Sequence, residues 1–552
     1  MFLYDKYKET LDNATHAVHA RTFYAAYPEH PKAYPEDAMA KGQEWFNNQL
    51  SNNFEELLQT EADEWAGLES SPYVPDLLGI KYPLFSVEKL ISRAKAAGKD
   101  WLHATPETRA AVLVDSLEKI KTRFFDIAFA TMHTTGQSFM MSFQASGPHA
   151  NDRAMEVVAL GYNALKEFPA HAEWEKPMGK MTLKVKKTWK AIGKGTGLVI
   201  GCSTFPVWNT VPGLYATLIT GNPVIVKPHP GAVLPIAIVV AELQKTLIEN
   251  NFNPDLVQLA VDTNDSPIGL KLAENPAIKI IDYTGNSHFG NQLERLEGKA
   301  VFTEKAGVNS VIIDSVHDID AVMQNLAFAI SLYSGQMCTA PQNFFIPESG
   351  IKAGNEELPY EAVVQKLVDG INNIANNPKM GPGTLGAIQN IHTCQRLEDA
   401  KEKLNGKIIL GSNPVANEEF PKARTASPMV AEVGADDYST YSSELFGPIV
   451  LVIKTKDTPH SVALAKELAT TKGAISCGAY TTDETVKKYI LSEMEEAFTP
   501  VSINYTGPIW MNQNAAFSDF HVTGGNPAGN ATFTDAAYLV RRFVWVGHKE
   551  VV

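Results

Sequence analysis

The spacing of apolar residues changes near residue 197. Before about residue 170, stretches such as 108–134 and 151–168 repeat apolar positions at intervals of three and four, which predicts amphipathic helices. After it, short apolar runs alternate with helical stretches. The first four runs are GLVIG (197–201), NPVIVK (222–227), LVQLAV (256–261) and IKIIDYTG (278–285). Strand, helix and strand at this spacing predict right-handed crossovers and a parallel sheet.

Parallel sheets of this kind often hold dinucleotides at their carboxyl edge, although many α/β proteins with the same alternation bind none. A second α/β region runs from about residue 304 to 480, with SVIID, NFFIP and IVLVIK as its strands. We therefore expect an α/β protein with two sheet-containing regions.

The segment MTLKVKKTWKAIGKG (181–195) alternates apolar and basic residues, as a strand with one wet face does. Its lysines, Lys184, Lys186, Lys187 and Lys190, either contact an anion or protect an exposed, subunit-pairing edge. The carboxyl-terminal run YLVRRFVWVGHKEVV also alternates. We interpret it as a last strand that pairs across a subunit boundary, so a homodimer is the minimum expectation and a homotetramer stays open.

Composition excludes several classes of function. The 552 residues are 44% hydrophobic and 20% charged, the balance of a soluble globular protein with more than one domain. The net charge of -14 opposes binding to nucleic acid or to an anionic membrane surface. The amino terminus lacks the apolar core of a signal peptide, and the most apolar stretch is broken by Gly221, Asn222 and Pro223, so we expect a cytoplasmic protein.

The four cysteines are far apart in the chain, with no CxxC motif and no histidine at metal-ligand spacing. This pattern disfavours disulfides and predicts no metal site. Cys338 differs from Cys202, Cys394 and Cys477 because it lies in YSGQMCTAPQNFFIP (333–347), between small and polar residues and directly before a predicted strand.

A neutral thiol is a weak nucleophile, so a reactive cysteine needs a polarised environment and a nearby base. Glu304, in FTEKAGVNSVII, precedes Cys338 by 34 residues. Each residue has an ordinary alternative: a buried cysteine behaves as a small hydrophobe, and a lone glutamate is usually a solvated surface charge.

Four further segments occur in a fixed order around this pair: VIVKPHP (224–230), YTGNSHFG (283–290), SSELFGPIV (442–450) and TGGNPAGN (523–530). Taken with SGQMCTAP and FTEKAGVNSVII, they resemble the ordered motifs of the aldehyde dehydrogenase superfamily. Singly, each of these segments would be an ordinary turn, loop or strand end.

The resemblance implies a role for each matched residue. Cys338 would be the nucleophile and Glu304 the general base. Lys227 would reach the cofactor ribose, and Glu444, in the Glu-x-Phe-Gly-Pro motif with Phe446, would hold the nicotinamide ribose. Gly285, Asn286 and Gly290 would form the turn under the cofactor pyrophosphate.

The resemblance also implies the fold and its division. A helical amino-terminal part and a Rossmann-type cofactor domain would take residues 1–175 and 196–303. A catalytic domain would take 304–500, and a small β element for oligomerisation would take 176–195 and 525–552.

The chemistry of a cysteine nucleophile predicts the steps of the reaction. The Cys338 thiolate attacks a small-molecule aldehyde, hydride leaves for the nicotinamide, and water activated by Glu304 hydrolyses the thioester to a carboxylic acid. The oxyanion needs donors, each worth about 3 to 4 kcal/mol. One is the Cys338 backbone N–H.

The chain departs from the family at the second donor. Where the family has an asparagine before Phe-Pro, GCSTFPVWN has Thr204. We expect the Thr204 hydroxyl to donate, with Asn209 as its rival.

A second departure lies near the ribose. Pro230 replaces the glutamate that many NAD-using members have there, and His229 precedes it. Without that carboxylate, Lys227 and His229 could pair with a 2′-phosphate, so we expect NADP to be preferred and NAD to be possible.

A third departure, TEKAGVNS around Glu304, and the extension with ARTFYAAYPEHPKAY resemble a branch associated with aerobic phenylacetate degradation. That branch implies a semialdehyde carried as a coenzyme A thioester, with another protein opening the ring. Candidate contacts for the coenzyme A anion are Lys184 to Lys190, Arg541 and Arg542.

Three alternatives stay open. An acylating enzyme would resolve the thioester with coenzyme A, although it would not need Glu304. A silent binding protein on the same fold would need neither Cys338 nor Glu304. A cysteine hydrolase would need a histidine partner, and none is close to Cys338 in sequence.

Overall fold

The amino-terminal part is mostly helical, as the apolar spacing predicts. The computed structural model describes residues 3–74, 76–507 and 515–551. The helices before residue 170 are α1 (Leu3–Ala20), α2 (Ala38–Gln49), α3 (Val87–His103), α4 (Pro106–Lys121), α5 (Phe124–Thr135), α6 (Phe139–Ser146) and α7 (Pro148–Leu165). A short antiparallel pair, β1 (Glu64–Ala66) and β2 (Tyr82–Leu84), lies between α2 and α3. Helix α7 is buried along nearly its whole length, which places its polar side chains inside the protein.

The basic segment forms the middle strand of a small antiparallel sheet. It contains β4 (Met181–Gly193), which pairs with the preceding strand, β3 (His171–Met178). The third strand of this sheet, Phe543–Val551, comes last in the chain and pairs with β4.

The first α/β region is a five-stranded, wholly parallel sheet. Its strands are β5 (Thr196–Ile200), β6 (Val224–Lys227), β7 (Val257–Leu259), β8 (Ile278–Thr284) and β9 (Ala300–Glu304), in the spatial order β7-β6-β5-β8-β9. The connecting helices are α8 (Pro206–Ile219), α9 (Leu234–Glu249), α10 (Gly269–Glu274) and α11 (Ser287–Glu294). Almost every strand residue is buried, which explains the continuous apolar runs.

The second α/β region contains a seven-stranded sheet and a small three-stranded one. The strands are β10 (Ser310–Ile313), β11 (Ser315–Val316), β12 (Asn343–Pro347), β13 (Ile351–Ala353), β14 (Glu356–Leu358), β15 (Lys407–Leu410), β16 (Met429–Gly434), β17 (Ile449–Thr455), β18 (Cys477–Tyr480) and β19 (Val501–Ile503). The helices are α12 (Ile319–Ser331), α13 (Tyr360–Ala375), α14 (Met380–Leu385), α15 (Ile391–Lys403), α16 (Tyr438–Tyr441), α17 (Thr458–Thr471) and α18 (Glu484–Glu496). The large sheet has the order β15-β16-β17-β12-β10-β18-β19, and its β15 edge strand runs antiparallel to β16 while the other described pairs are parallel.

The carboxyl terminus differs from the sequence expectation in one respect. Tyr538, Leu539 and Val540 belong to a short helix, α19 (Ala536–Val540), and the strand, β20 (Phe543–Val551), begins only afterwards. The physical reason is the buried Arg542, whose guanidinium forms an ion pair with Asp282 of β8 at 2.6 Å. This pair fixes the turn between α19 and β20 against the parallel sheet.

The predicted division into domains follows the sheets but stays a prediction. The five-stranded sheet lies within 196–304 and the large sheet within 310–503, while β3 begins a few residues before the predicted boundary. Among the described residues, no helix is both long and apolar enough to span a membrane.

Candidate active site

The predicted site residues come together between the edges of the two large sheets. The first turn of α8, the loop after β8 and the end of β9 supply Asn209, Asn286 and Glu304 from the carboxyl edge of the five-stranded sheet. Cys338 and Glu444 lie just before β12 and β17, at the amino edge of the seven-stranded sheet. Two facing sheet edges therefore build one site from strand ends, a helix start and loops.

The loop before Cys338 has an unusual backbone. Tyr333 and Ser334 have φ values of 52° and 51°, in the left-handed region that L-residues rarely adopt. The Ser334 hydroxyl donates to the carbonyls of Leu385 and Ala426 at 3.0 and 3.1 Å, which holds this conformation in place. Strain of this kind persists only where surrounding contacts fix it, and it concentrates at functional sites.

Gly335 couples the nucleophile segment to the Glu444 segment. A Cβ added at Gly335 would lie 2.4 Å from the Gly447 carbonyl oxygen, so only glycine allows this approach. Gln342, four residues after Cys338, accepts from the Leu445 N–H at 2.6 Å and donates to the Ser443 carbonyl at 3.1 Å. The segments around Cys338 and Glu444 therefore form one unit.

Asn309, in the segment TEKAGVNS, links Glu304 to the same unit. Its amide donates to the Cys338 and Ala340 carbonyls at 2.8 and 3.0 Å. Its side-chain oxygen accepts from the backbone N–H groups of Ile475 and Ser476 at 3.0 and 3.1 Å. Asn309 therefore helps to fix the position of Cys338 through a hydrogen bond to the Cys338 carbonyl.

Glu304 is 2% exposed, and each of its carboxylate oxygens has a defined neighbour. Oε2 accepts a hydrogen bond from Asn209 Nδ2 at 2.9 Å. Oε1 lies 3.0 Å from Nε2 of His521.

Burial by itself would raise the pKa of Glu304. The neighbouring His521, Cys338 and Arg153 outweigh burial, so the pKa of this carboxyl lies below its ordinary value. Glu304 is therefore ionised at neutral pH, as a general base must be.

Cys338 lies beside Glu304 and His521: its Sγ, a carboxylate oxygen of Glu304 and a ring nitrogen of His521 all lie within 4.8 Å of one another. Burial and the Glu304 charge raise the pKa of the Cys338 thiol well above its usual range. Glu304 therefore opposes ionisation of the thiol in the free protein. An ionised carboxylate in this position can also act as a base toward a water molecule beside Cys338.

The Cys338 side chain opens into a cavity of about 780 Å³. Its apolar wall includes Met140, Met141, Trp208, Phe328 and Leu332, and its polar lining includes Asp152, Arg153, Asn209, Thr339 and His521. Residues 23–29 of the amino-terminal extension form another part of the wall. The Asp152 carboxylate accepts from the Ala26 N–H at 2.9 Å, which attaches this extension to α7.

The structure places the two rival oxyanion donors differently. Asn209 lines the cavity, whereas Thr204 is half-buried and does not line it. The Thr204 carbonyl accepts from the Gln137 amide at 2.8 Å. Asn209 already donates one N–H to Glu304, and its amide has a second one.

Lys227, at the end of β6, does not stand alone. Its ammonium lies 2.7 Å from Asp262 Oδ1, and Asp262 is 5% exposed. Burial and the Lys227 charge lower the pKa of His229 to about 4, against the opposing effect of Asp262. His229 is therefore neutral at neutral pH, and its Nδ1 accepts from the Gly231 N–H at 3.1 Å. Pro230 follows in the same turn and supplies no charge.

The turn after β8 begins α11. Asn286 caps this helix, accepting from the Phe289 N–H at 2.9 Å, and the Gly285 N–H donates to the Glu304 carbonyl at 3.1 Å. A Cβ on Gly290 would lie 2.7 Å from the Lys305 side chain, so glycine lets α11 approach the end of β9. Free N–H groups at such a helix start suit an anionic group like a pyrophosphate.

Glu444 is half-buried on the other side of the site. Burial raises the pKa of Glu444 to about 7, although the Gly307 N–H and Arg396 act in the opposite direction. The Phe446 carbonyl accepts from the Arg396 guanidinium at 2.6 Å, which anchors the loop. Two carboxyls near one cysteine would repel if both were charged, and burial relieves this by keeping part of Glu444 neutral.

Three residues of the site were not predicted from the sequence: His521, Arg153 and Asp262. His521 comes from a segment 183 residues after Cys338, so no local spacing could indicate it. Arg153 lies in a helix whose apolar period looks ordinary. Asp262 directly follows the predicted strand 256–261. Its position at the end of a strand that neighbours β6 was the one feature that could have indicated it.

The electrostatics of Cys338 give a prediction that needs no ligand. Glu304→Gln removes the charge that, after burial, does most to raise the pKa of Cys338, so iodoacetamide should alkylate Cys338 about tenfold faster near pH 7.5. Mass spectrometry of the labelled peptide measures this rate, with Cys338→Ala as the blank. Slower alkylation in Glu304→Gln would mean instead that Glu304 takes the thiol proton.

Comparison with known proteins agrees with this architecture. The sequence model described as the aldehyde dehydrogenase family matches residues 85–529. A crystal structure of NAD-dependent aldehyde dehydrogenase from Burkholderia multivorans is 42% identical and superposes with a TM-score of 0.97 over 100% of this chain and 99% of that one.

More distant relatives also match the chain. N-succinylglutamate 5-semialdehyde dehydrogenase of Pseudomonas fluorescens strain Pf0-1 is 26% identical over 69% of this chain and 74% of its own. A mutant of Thermus thermophilus 1-pyrroline-5-carboxylate dehydrogenase, 19% identical, has a TM-score of 0.76 over 96% and 99% of the two chains. The family match over most of the chain and the full-length likeness to the Burkholderia structure show that the chain belongs to the aldehyde dehydrogenase family of NAD(P)-dependent enzymes.

Proposed function

We propose that the protein oxidises an aldehyde to a carboxylic acid through a thioester on Cys338, with hydrolysis by water. The observation that carries this proposal is the cluster of Cys338, Glu304 and His521, of which Cys338 and His521 line a cavity large enough for a small molecule. Lys227 and Asn286, the residues expected to bind the cofactor, lie at the carboxyl edge of the sheet in which Glu304 ends β9.

Attack begins with the Cys338 sulfur on the aldehyde carbonyl. The attacking species is the small fraction of Cys338 that has lost its proton to solvent, because burial and the Glu304 charge raise the pKa of the thiol. The Cys338 N–H and the second N–H of Asn209 stabilise the oxyanion. Preorganised donors in a water-poor site are effective because they need no reorganisation as charge develops.

The residues on the cofactor side fit a dinucleotide. The N–H groups at the start of α11 suit the pyrophosphate, and glycine at 290 lets this helix pack closely against Lys305 at the end of β9. Lys227 would hold one ribose and Glu444 the other. When bound, an oxidised nicotinamide would supply the hydride acceptor.

Hydrolysis of the thioester falls to Glu304. Its carboxylate takes a proton from water, which then attacks the acyl carbon. His521, packed against Trp208 with ring centroids 4.9 Å apart, keeps Glu304 in one orientation. An ionised base beside the thioester supports hydrolysis and disfavours an acylating enzyme, whose coenzyme A would need no such base.

The proposal extends to the pathway in which the enzyme acts. The amino-terminal segment that resembles the phenylacetate branch forms part of the cavity wall, which supports an influence on substrate choice. The expected contacts for a coenzyme A tail gain no such support. Arg542 is buried in its pair with Asp282, which corrects its place among the candidates, and neither Lys184 to Lys190 nor Arg541 lines the cavity. A coenzyme A semialdehyde stays a proposal on sequence grounds alone.

The proposal also extends to the preference between NAD and NADP. The absence of an acidic residue at position 230, where the chain has Pro230, supports NADP as the preferred cofactor, as the sequence predicts. Two observations support NAD more strongly: His229, whose pKa is lowered, is neutral, and Asp262 places a carboxylate beside Lys227. A carboxylate binds a ribose 2′-hydroxyl and repels a 2′-phosphate. The Burkholderia protein is described as NAD-dependent. We therefore propose NAD as the better cofactor and NADP as the weaker one.

A homodimer or homotetramer completes the proposal. Strands β3, β4 and β20 expose Met178, Met181 and Val544 at 55%, 73% and 47%, an apolar surface suited to a partner subunit. Sedimentation velocity would distinguish it from a monomer.

The reaction itself has a direct test. Purified protein with NAD and a simple aldehyde should form reduced nicotinamide and free acid without added coenzyme A, and Cys338→Ala should form none. Glu304→Gln should release about one equivalent of reduced nicotinamide and then stop, leaving an acylated Cys338 visible by mass spectrometry. Acyl-coenzyme A as the product would identify the acylating alternative, and tight cofactor binding without turnover would identify a binding protein.

The two oxyanion donors can be separated by substitution. Asn209→Ala should lower kcat by about 100-fold, the usual cost of one oxyanion donor, whereas Thr204→Val should change it little. Cofactor binding by fluorescence titration controls for misfolding in both variants. The reverse ranking would restore Thr204 as the donor.

The Asp262 carboxylate should influence the choice between NAD and NADP. Asp262→Asn should shift the ratio of kcat/KM for NAD over NADP toward NADP by about 30-fold, because it removes repulsion of a 2′-phosphate and frees Lys227 to pair with it. Asp265→Asn, an exposed acid in the same loop, is the matched control and should leave the ratio unchanged. A wild-type preference for NADP would refute this assignment.

A further inference from the structure

Arg153 is a buried cation that pairs with none of the described acids. It lies on α7, is 5% exposed and lines the same cavity as Cys338. Its guanidinium lies over the Trp208 ring, 3.7 Å from the ring centroid. Among the residues that the structure describes, none forms a hydrogen bond or an ion pair with it, and its Nε is both buried and unpartnered.

The acids near Arg153 do not compensate it at contact distance. Glu304 makes its contacts with Asn209 and His521. Glu156, one turn along α7, faces Arg21 at 3.6 Å, and burial raises the pKa of Glu156 to about 7, so it is only partly charged. Burial likewise raises the pKa of Asp152, the other acid of this helix that lines the cavity, to about 8.

An unpaired buried charge is costly, and proteins retain one where a ligand completes it. The planar guanidinium, with its flat face covered by Trp208, leaves its N–H edge available to donate two parallel hydrogen bonds to a carboxylate. The cavity also has apolar walls, with Met140 and Met141 among the residues that line it.

We infer that Arg153 binds an anionic group of the substrate, and that the preferred substrate is an aldehyde with a carboxylate at its other end. This inference rests on the proposed function, and it names the substrate class. In this arrangement Arg153 fixes the acid end while Cys338 attacks the aldehyde end, so the distance between them selects the chain length. A neutral aldehyde of the same size enters the cavity but leaves the guanidinium without a partner.

The test compares matched substrates. In the wild type, kcat/KM for 4-oxobutanoate should exceed that for its methyl ester by about 100-fold, the usual effect of completing a buried charge pair. Arg153→Gln should bring the ratio of kcat/KM for acid over ester close to one, and comparing two substrates of one variant cancels any effect of the substitution on Glu304. Arg153→Lys should keep part of the difference, because it keeps the charge but not the fork of donors.

Lys166→Gln provides the matched control. It removes a positive charge at the end of the same helix, outside the cavity, and should leave the ratio of acid to ester as in the wild type. Equal kcat/KM for acid and ester in the wild type, or preferred turnover of a coenzyme A semialdehyde that Arg153→Gln leaves unchanged, would overturn the inference while aldehyde oxidation stands.

A binding measurement covers the case in which no aldehyde is oxidised. Succinate should slow the alkylation of Cys338 by iodoacetamide in the wild type, whereas succinamide should not. Arg153→Gln should lose this protection. Absence of protection by succinate in the folded wild type would refute the anion site independently of any turnover.

Discussion

The carboxylate of Glu304 lies where two sheets meet, and only 2% of the residue is exposed. A buried charge of this kind must be balanced by neighbours, and here those neighbours come from distant parts of the chain. Asn209 follows β5 and His521 comes from the carboxyl-terminal segment. The Glu304 carbonyl accepts from Gly285, and the next residue, Lys305, donates its N–H to the Ala528 carbonyl at 2.7 Å. The balance of one charge thus fixes the relative positions of four segments.

The same balance explains why Cys338 is held so firmly. A thiol whose pKa is raised by burial and by Glu304 reacts only if its attack is well aligned, because few molecules hold the thiolate at any instant. The left-handed Tyr333 and Ser334, the close approach of Gly335 to Gly447, and the hydrogen bonds from Asn309 all restrict the sulfur to one place. Backbone strain in this loop is offset by contacts made elsewhere in the second α/β region.

Much of this arrangement could be predicted from sequence. The strands from GLVIG to IVLVIK are in place because burial on both faces leaves continuous apolar runs, and the family motifs indicated Cys338, Glu304 and Glu444. Contacts across the fold could not be predicted. Nothing in the spacing of His521 or Arg153 indicates that they line one cavity, and the helix of Tyr538 to Val540 depends on the buried pair of Arg542 with Asp282. Sequence patterns report local period and burial, whereas these features depend on which segments meet.

Asp262 shows how a residue outside a motif can place a negative charge beside that motif. The sequence has Pro230 where many relatives have a ribose-binding glutamate, which by itself suggests that a negative charge has been lost. Strands β6 and β7 are neighbours in a parallel sheet, so their carboxyl ends lie side by side, and a residue after either strand can reach the same place. Asp262 follows β7 and contacts Lys227 of β6. The charge at this corner is therefore a property of the sheet edge rather than of one motif, and a motif read along a single strand can misjudge it.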